Sequence, residues 1–249
     1  MKTFLICFTV GIIAQMIDGT LGMAYGVTCS TFLRTFGIPS ALSSACVHLA
    51  EVFTTLVSGI SHLSMKNTNL RLVAKLAVPG VIGGVIGAYV LTSLDDSIIS
   101  PIISAYLIIM GFVIFFKMFK KQPAETRKIG KAVYPLAFVG GLSDCIGGGG
   151  WGPIVTSTLV AANHDVKETI GSVNTAEFFV TVAESVMFFL TLGSIGEYIP
   201  AVGGLIIGGV IAAPVAAYLC KKVPVRALLG VVGVLIIGVN TWKLIAALV

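Results

Sequence analysis

"DCIGGGGWGP", residues 144–153, places an acid, four consecutive glycines and a tryptophan inside a stretch that otherwise reads as lipid-soluble helix. Unpaired peptide groups in hydrocarbon cost several kcal/mol each, so irregular backbone at membrane depth survives only where protein buries it or where it lines a wet cavity. The run is therefore read as a break within a membrane segment. Glycine frees the backbone to turn there and lets a ligand approach N–H groups closely. A half-helix starting after the break would point its positive end inward, which suits an anion. The stretch is no P-loop, since "GGGGWG" lacks the Lys-Ser/Thr that phosphate cradling requires.

The surrounding chain makes this a membrane question. Of 249 residues, 56% are hydrophobic and 11% charged, with a mean hydropathy of +1.01, which excludes a water-soluble globule. Runs approaching the roughly 20 apolar residues of a membrane span occur near 4–33, 40–63, 72–94, 98–116, 132–162, 169–192, 199–219 and 225–248. These eight segments predict an all-α, multi-pass integral membrane protein in a lipid bilayer. The first segment continues past Asp18 with no clear small-residue cleavage site and is taken as a membrane segment rather than a signal peptide. The net charge of +5 lies mostly in basic residues between or beside apolar segments. That placement points to topology, not to nucleic acid.

Shifting the chain by 126 positions aligns Asp18 with Asp144, Gly22 with Gly148, Tyr25 with Trp151 and Gly26 with Gly152. The match continues without a gap through Leu33 and Leu159, Val47 and Val173, Ala50 and Ala176, Glu51 and Glu177, Phe53 and Phe179, and Thr55 and Thr181. The expected organisation is two homologous repeats, 1–118 and 132–249, joined by a polar cytoplasmic linker at 119–131. If all eight segments crossed once, one face would collect 11 of the 16 basic residues. If the over-long first segment of each repeat enters and returns to its own side, the split becomes 13 against 3. The more polarised count favours inverted repeats, the first segment of each broken by its glycine-rich loop.

A second signal comes after each break. Ser44, His48, Glu51, Thr55, Ser58 and His62 recur at helical spacing on one face, and Asn174, Glu177, Thr181 and Glu184 repeat the stripe. Such a face belongs against protein or a water path, because intramembrane ionisable groups are expensive and usually functional. Glu51 and Glu177, kept in both copies, are the candidate proton carriers. Glu184 has no acidic match, since Ser58 stands at its equivalent position. His48 reads as a proton relay or as a packing residue; Asp18 and Asp144 read as helix caps or as proton or ion sites. His62 and His164, towards segment ends, read as interfacial.

Candidate anion contacts are the backbone around Gly147, Gly148, Gly149, Gly150, Trp151 and Gly152, with lesser counterparts at Gly22, Tyr25 and Gly26. Hydroxyls of Thr28, Ser30, Thr156 and Ser157 are candidate donors or internal helix bonds. "VPGVIGGVIGA" (78–88) and "VGGLIIGGVIAAP" (202–214) read as close-packing faces. The five cysteines form no CxxC pair and read as small packing residues, with Cys145 placed to touch a ligand. No cofactor motif, HExxH, metal-ligand spacing or Ser-His-Asp grouping is present, so neither enzyme nor metal site is expected.

The two broken segments, "GIIAQMIDGTLGMAYG" and "GGLSDCIGGGGWGP", followed in the first copy by "FTTLVSGISHLSMKN", resemble the TauE/SafE family of membrane transporters. The resemblance covers nearly the whole chain, although "GTLGMAYG" stands where a glycine-dense run would be expected in the first copy. It implies a secondary transporter in the inner membrane of a bacterium, an exporter of sulfite, an organosulfonate or a related sulfur anion. A carrier for another small anion such as a carboxylate, or for a cation drawn by the acids, and a non-transporting membrane subunit are the competing readings. The small-residue stripes suit packing within one chain or between two.

Overall fold

The structure, a computed structural model, describes residues 2–117, 130–162, 164–193, 195–219 and 226–248. The expected linker falls outside the described residues except for Gly130 and Lys131, as do Cys220, Lys221 and Lys222. The described chain folds into helices α1 (Lys2–Leu21), α2 (Tyr25–Thr35), α3 (Ser40–Ser64), α4 (Leu70–Ser93), α5 (Asp96–Lys117), α6 (Val133–Gly147), α7 (Ser157–Ala161), α8 (Val166–Leu192), α9 (Ile199–Leu219) and α10 (Arg226–Leu248). A π-helical turn at Gly152–Thr156 precedes α7. Six described helices are long and apolar enough to cross a membrane. The over-long segments are the ones that divide, into α1 and α2 and into α6, the π turn and α7.

Burial is arranged for lipid outside and polarity inside. Leu5, Ile82, Ile109, Phe189 and Val234 are exposed, whereas His48, Glu51, Thr55, Ser58 and His62 of α3 and Asn174, Glu177, Thr181 and Glu184 of α8 are buried. With lipid as the outer solvent, apolar side chains face outward at no cost. The polar stripes of α3 and α8 pack on one another, Ser58 meeting Asn174 and His48 meeting Glu184. Those pairs run in opposite chain directions, so the two helices are antiparallel.

Glycine faces draw the remaining helices together. A Cβ on Gly11 of α1 would stand 2.7 Å from the Leu205 carbonyl oxygen of α9, and one on Gly19 would stand 2.6 Å from Ala216 Cβ. On α4, Gly83 abuts Phe138 and Gly87 abuts Leu142 and Cys145 of α6. The glycine stretches at 78–88 and 202–214 are thus close-packing faces, where backbone approach replaces hydrophobic driving force. The register of these contacts makes α1 parallel to α9 and α4 parallel to α6. Val180 and Glu184 of α8 against Gly80 and Gly84 make α8 parallel to α4, while Gly111 against Ile237 and Gly233 against Phe115 set α5 and α10 antiparallel.

Short polar ties fix the helix starts. Asn69 Oδ1 accepts from the Arg71 and Leu72 amides, Asp165 caps α8 through the Glu168 amide, and Asp96 of α5 accepts from the Ser40 amide that opens α3.

Candidate functional site

At the second break, α6 closes on Gly148 in the left-handed conformation, φ 64°, followed by Gly149 at φ 140°, a region open almost only to glycine. Asp144, in the last turn of α6, organises the backbone beyond it. Its carbonyl accepts from the Gly149 amide at 2.9 Å, and its Oδ1 accepts from the amides of Gly150 at 2.5 Å and Trp151 at 2.8 Å. One carboxylate therefore caps the helix that restarts beyond the glycines. The Gly148 amide reaches Cys145 O, so the amides of residues 148–151 are all engaged within the break. The Gly150 and Trp151 amides hold the Asp144 carboxylate, whereas those of Gly148 and Gly149 are bonded to main-chain carbonyls.

The first break uses the same device with fewer glycines. Gly22, φ 65°, donates its amide to Asp18 O, and the Asp18 carboxylate takes the Tyr25 amide. Ala24 is held at φ 93°, a conformation that costs a non-glycine residue about 1–3 kcal/mol.

The two breaks touch. A Cβ on Gly26 would lie 2.6 Å from Gly149 Cα, and Gly152 abuts Gly22 and Met23. Thr156 Oγ1 donates to Gly22 O at 2.6 Å, and Ser30 Oγ donates to Gly147 O at 3.3 Å. Tyr25 and Trp151 are fully packed, the phenol donating to Leu205 O and the indole to Val173 O. The hydroxyl oxygens of Thr28 and Ser157 are buried without a hydrogen-bond partner.

Beside this crossing sits a cluster of ionisable groups. His48 Nδ1–H donates to Ser44 O at 2.7 Å, which turns Nε2 towards three acids: Glu184 Oε2 at 3.1 Å, Asp144 Oδ2 at 3.6 Å and Glu51 Oε2 at 4.0 Å. None of these four atoms has a partner in hydrogen-bonding geometry. Ser44 Oγ donates to Cys145 O at 2.7 Å, fastening α3 to the second break. Asp144 thus belongs to both features, Oδ1 on the amides and Oδ2 in the cluster.

The family model of the sulfite exporter TauE/SafE matches residues 7–241 of this sequence. The chain belongs to the TauE/SafE family. It is also 39% identical over 251 residues to the "Probable membrane transporter protein YtnM" of Bacillus subtilis (strain 168), spanning 98% of this chain and 84% of that relative. This TauE/SafE protein is accordingly a multi-pass membrane transporter and not an enzyme.

The structure of this TauE/SafE transporter separates the remaining candidates. Glu177 is buried on α8, within electrostatic reach of Asp18 and Glu51. Glu184, set aside by the repeat comparison, is the acid nearest His48; its place on the polar stripe of α8 was the available signal. His62 is not interfacial. It is buried, its Nε2–H donating to Gly19 O while Asn67 donates to its Nδ1. The last carbonyls of a helix lack partners inside it, and His62 supplies one where α1 stops short. Arg34 is a further buried charge, its Nη2 donating to Ser100 O, Ser100 Oγ and Ser104 Oγ, which pins the end of α2 to α5. An apolar pocket of about 410 Å³ is lined in part by Ala45, Leu49, Phe188 and Val202, and the Phe188 ring packs 5.7 Å from that of His48.

Proposed function

We propose that this transporter is a secondary carrier that exports a small sulfur-containing anion, sulfite or an organosulfonate, bound where the two breaks cross and coupled to protons held by the neighbouring acids. The contact that carries the proposal is the double engagement of Asp144, with Oδ1 on the amides of Gly150 and Trp151 and Oδ2 3.6 Å from His48 Nε2. An oxyanion can take those amides only when the carboxylate leaves them. A proton delivered to Asp144 removes the charge that holds it there, so anion entry and proton uptake become one exchange.

The helix directions support inverted repeats. Helices pair across the halves in opposite senses: α3 opposes α8, α5 opposes α10, and α1, which runs with α3 since Cys7 lies near Cys46 and Gly19 meets His62, opposes α6, which runs with α4 and α8. Because α1 and α3 run the same way, α2 fits a chain returning to the side it entered from. Rocking one half against the other would then expose the crossing alternately.

Uptake of radiolabelled sulfite into proteoliposomes, with and without an imposed pH gradient, tests the proposal. Saturable uptake that responds to the gradient and is competed by taurine or thiosulfate is expected; no flux above empty liposomes from folded, inserted protein would refute it. In the same assay Glu177→Gln should change the pH dependence of flux more than it changes folding. One observation favours a second reading: the cradle already accepts a carboxylate, that of Asp144. Competition by acetate stronger than by the sulfur anions would move the substrate to small carboxylates.

A further inference from the structure

We propose that His48, Glu51, Asp144 and Glu184 form a binding site for a divalent transition-metal ion at the crossing of the two breaks. Four features converge on it. The donor atoms are buried, with the four residues at 0–1% exposure. His48 Nε2, Glu51 Oε2, Asp144 Oδ2 and both Glu184 carboxylate oxygens lack hydrogen-bond partners. His48 with Glu51 and Asp144, and His48 with Glu184 and Cys145, each offer three donor atoms within 4.8 Å of one another. The His48 Nδ1–H is committed to the Ser44 carbonyl, the outer hydrogen bond that fixes the tautomer and orients a metal-ligating imidazole.

The spacing decides what kind of cation fits. Ligands about 2.0–2.1 Å from a tetrahedral ion stand roughly 3.3 Å from one another, and the nitrogen lies 3.1 Å from Glu184 Oε2 and 3.6 Å from Asp144 Oδ2. Those atoms approach one another without aligning as an N–H···O bond, as donors do when they face a common point. A nitrogen with carboxylate oxygens suits Zn²⁺, Co²⁺ or a neighbouring first-row ion better than Mg²⁺ or Ca²⁺, which prefer oxygen alone. A dication there offsets much of the charge of three crowded carboxylates beside a crossing read as an anion site.

The test uses the purified full-length protein in lipid nanodiscs, stripped with chelator and with any affinity tag removed, titrated with Co²⁺ and then with Zn²⁺. One equivalent of Co²⁺ should give the intense visible bands of a low-coordinate ion, and Zn²⁺ should abolish them. His48→Gln and Glu184→Gln should each weaken binding at least tenfold, while Glu197→Gln, at an exposed carboxylate outside the donor set, should bind as the parent does. Size-exclusion profile and thermal unfolding report whether each variant is folded, and either folded variant suffices for the comparison. Absence of the bands with the parent protein, or bands of equal affinity in the folded variants, would overturn the site. Because the readout is equilibrium binding without substrate, it stands or falls separately from sulfite flux.

Discussion

Positions 48 and 184 meet across the α3–α8 contact, and so do positions 174 and 58, which are their equivalents under the 126-residue repeat. One contact therefore occurs twice, with different chemistry. Ser58 Oγ donates to Asn174 Oδ1 at 2.8 Å and Asn174 Nδ2 donates to Ile170 O, a neutral pair whose groups are satisfied. His48 and Glu184 occupy the same geometry as an ionisable pair left unsatisfied at 3.1 Å. A neutral hydrogen bond between buried helices stabilises them, whereas buried ionisable groups without hydrogen bonds destabilise the fold unless something else binds there. Duplication supplied the contact; the difference marks which of its two copies carries the chemistry.

The breaks differ in the same way, and the largest expected effect lies there. Gly149, at φ 140°, lies where a Cβ would collide with the Gly26 carbonyl carbon and with Val27 N, both of them backbone. Gly149→Ala should cost about 3 kcal/mol or more, seen as loss of monodisperse protein after extraction. In the other break, Ala24 holds a left-handed φ of 93° without glycine, so Ala24→Gly should raise the unfolding temperature, a gain of about 1 kcal/mol. Equal responses at the two positions would remove the distinction between a tightly built break and a strained one.

Next in size is the transfer of one pair's chemistry to the other. Replacing the ionisable pair by its repeat equivalent, His48→Asn with Glu184→Ser, should stabilise the protein by about 1–3 kcal/mol and abolish flux. The converse pair, Asn174→His with Ser58→Glu, should destabilise it by a similar amount. Thermal unfolding and proteoliposome uptake read both. A double variant that keeps its flux would show that the asymmetry between the two contacts is packing history rather than mechanism.

The sequence exposes the breaks because helix interruption inside hydrocarbon needs unusual residues, and the Asp-to-glycine spacing of 144–152 is visible without a structure. The glycine stripes at 78–88 and 202–214 are legible for the same reason: only small residues allow such approach. The pairing of His48 with Glu184 is not legible, because sliding the chain on itself matches equivalent positions, whereas contact across the halves joins a position to a different one in the other copy. Ser58 at the equivalent of Glu184 therefore argues against the very residue that meets His48. The engagement of the Gly150 and Trp151 amides is hidden by a different ambiguity. An amide suited to an anion is equally suited to a carboxylate six or seven residues earlier, and only the backbone path through Gly148 and Gly149 decides that Asp144 reaches it.

The smallest effect concerns the hydroxyls that tie the crossing together. Ser30 and Thr156 are repeat equivalents, and each donates to a carbonyl of the opposite break, at 3.3 Å to Gly147 and at 2.6 Å to Gly22. The shorter bond sits where α1 has ended and the Gly22 carbonyl has left the helical ladder, so its loss leaves a buried acceptor without that donor. Thr156→Val keeps the shape and removes the donor; it should cost about 1–2 kcal/mol, against about 0.5 kcal/mol for Ser30→Ala. Matched unfolding curves would resolve the difference. If Ser30→Ala proved the more damaging, the 3.3 Å tie from Ser30 rather than the 2.6 Å tie from Thr156 would be the one that holds the crossing closed.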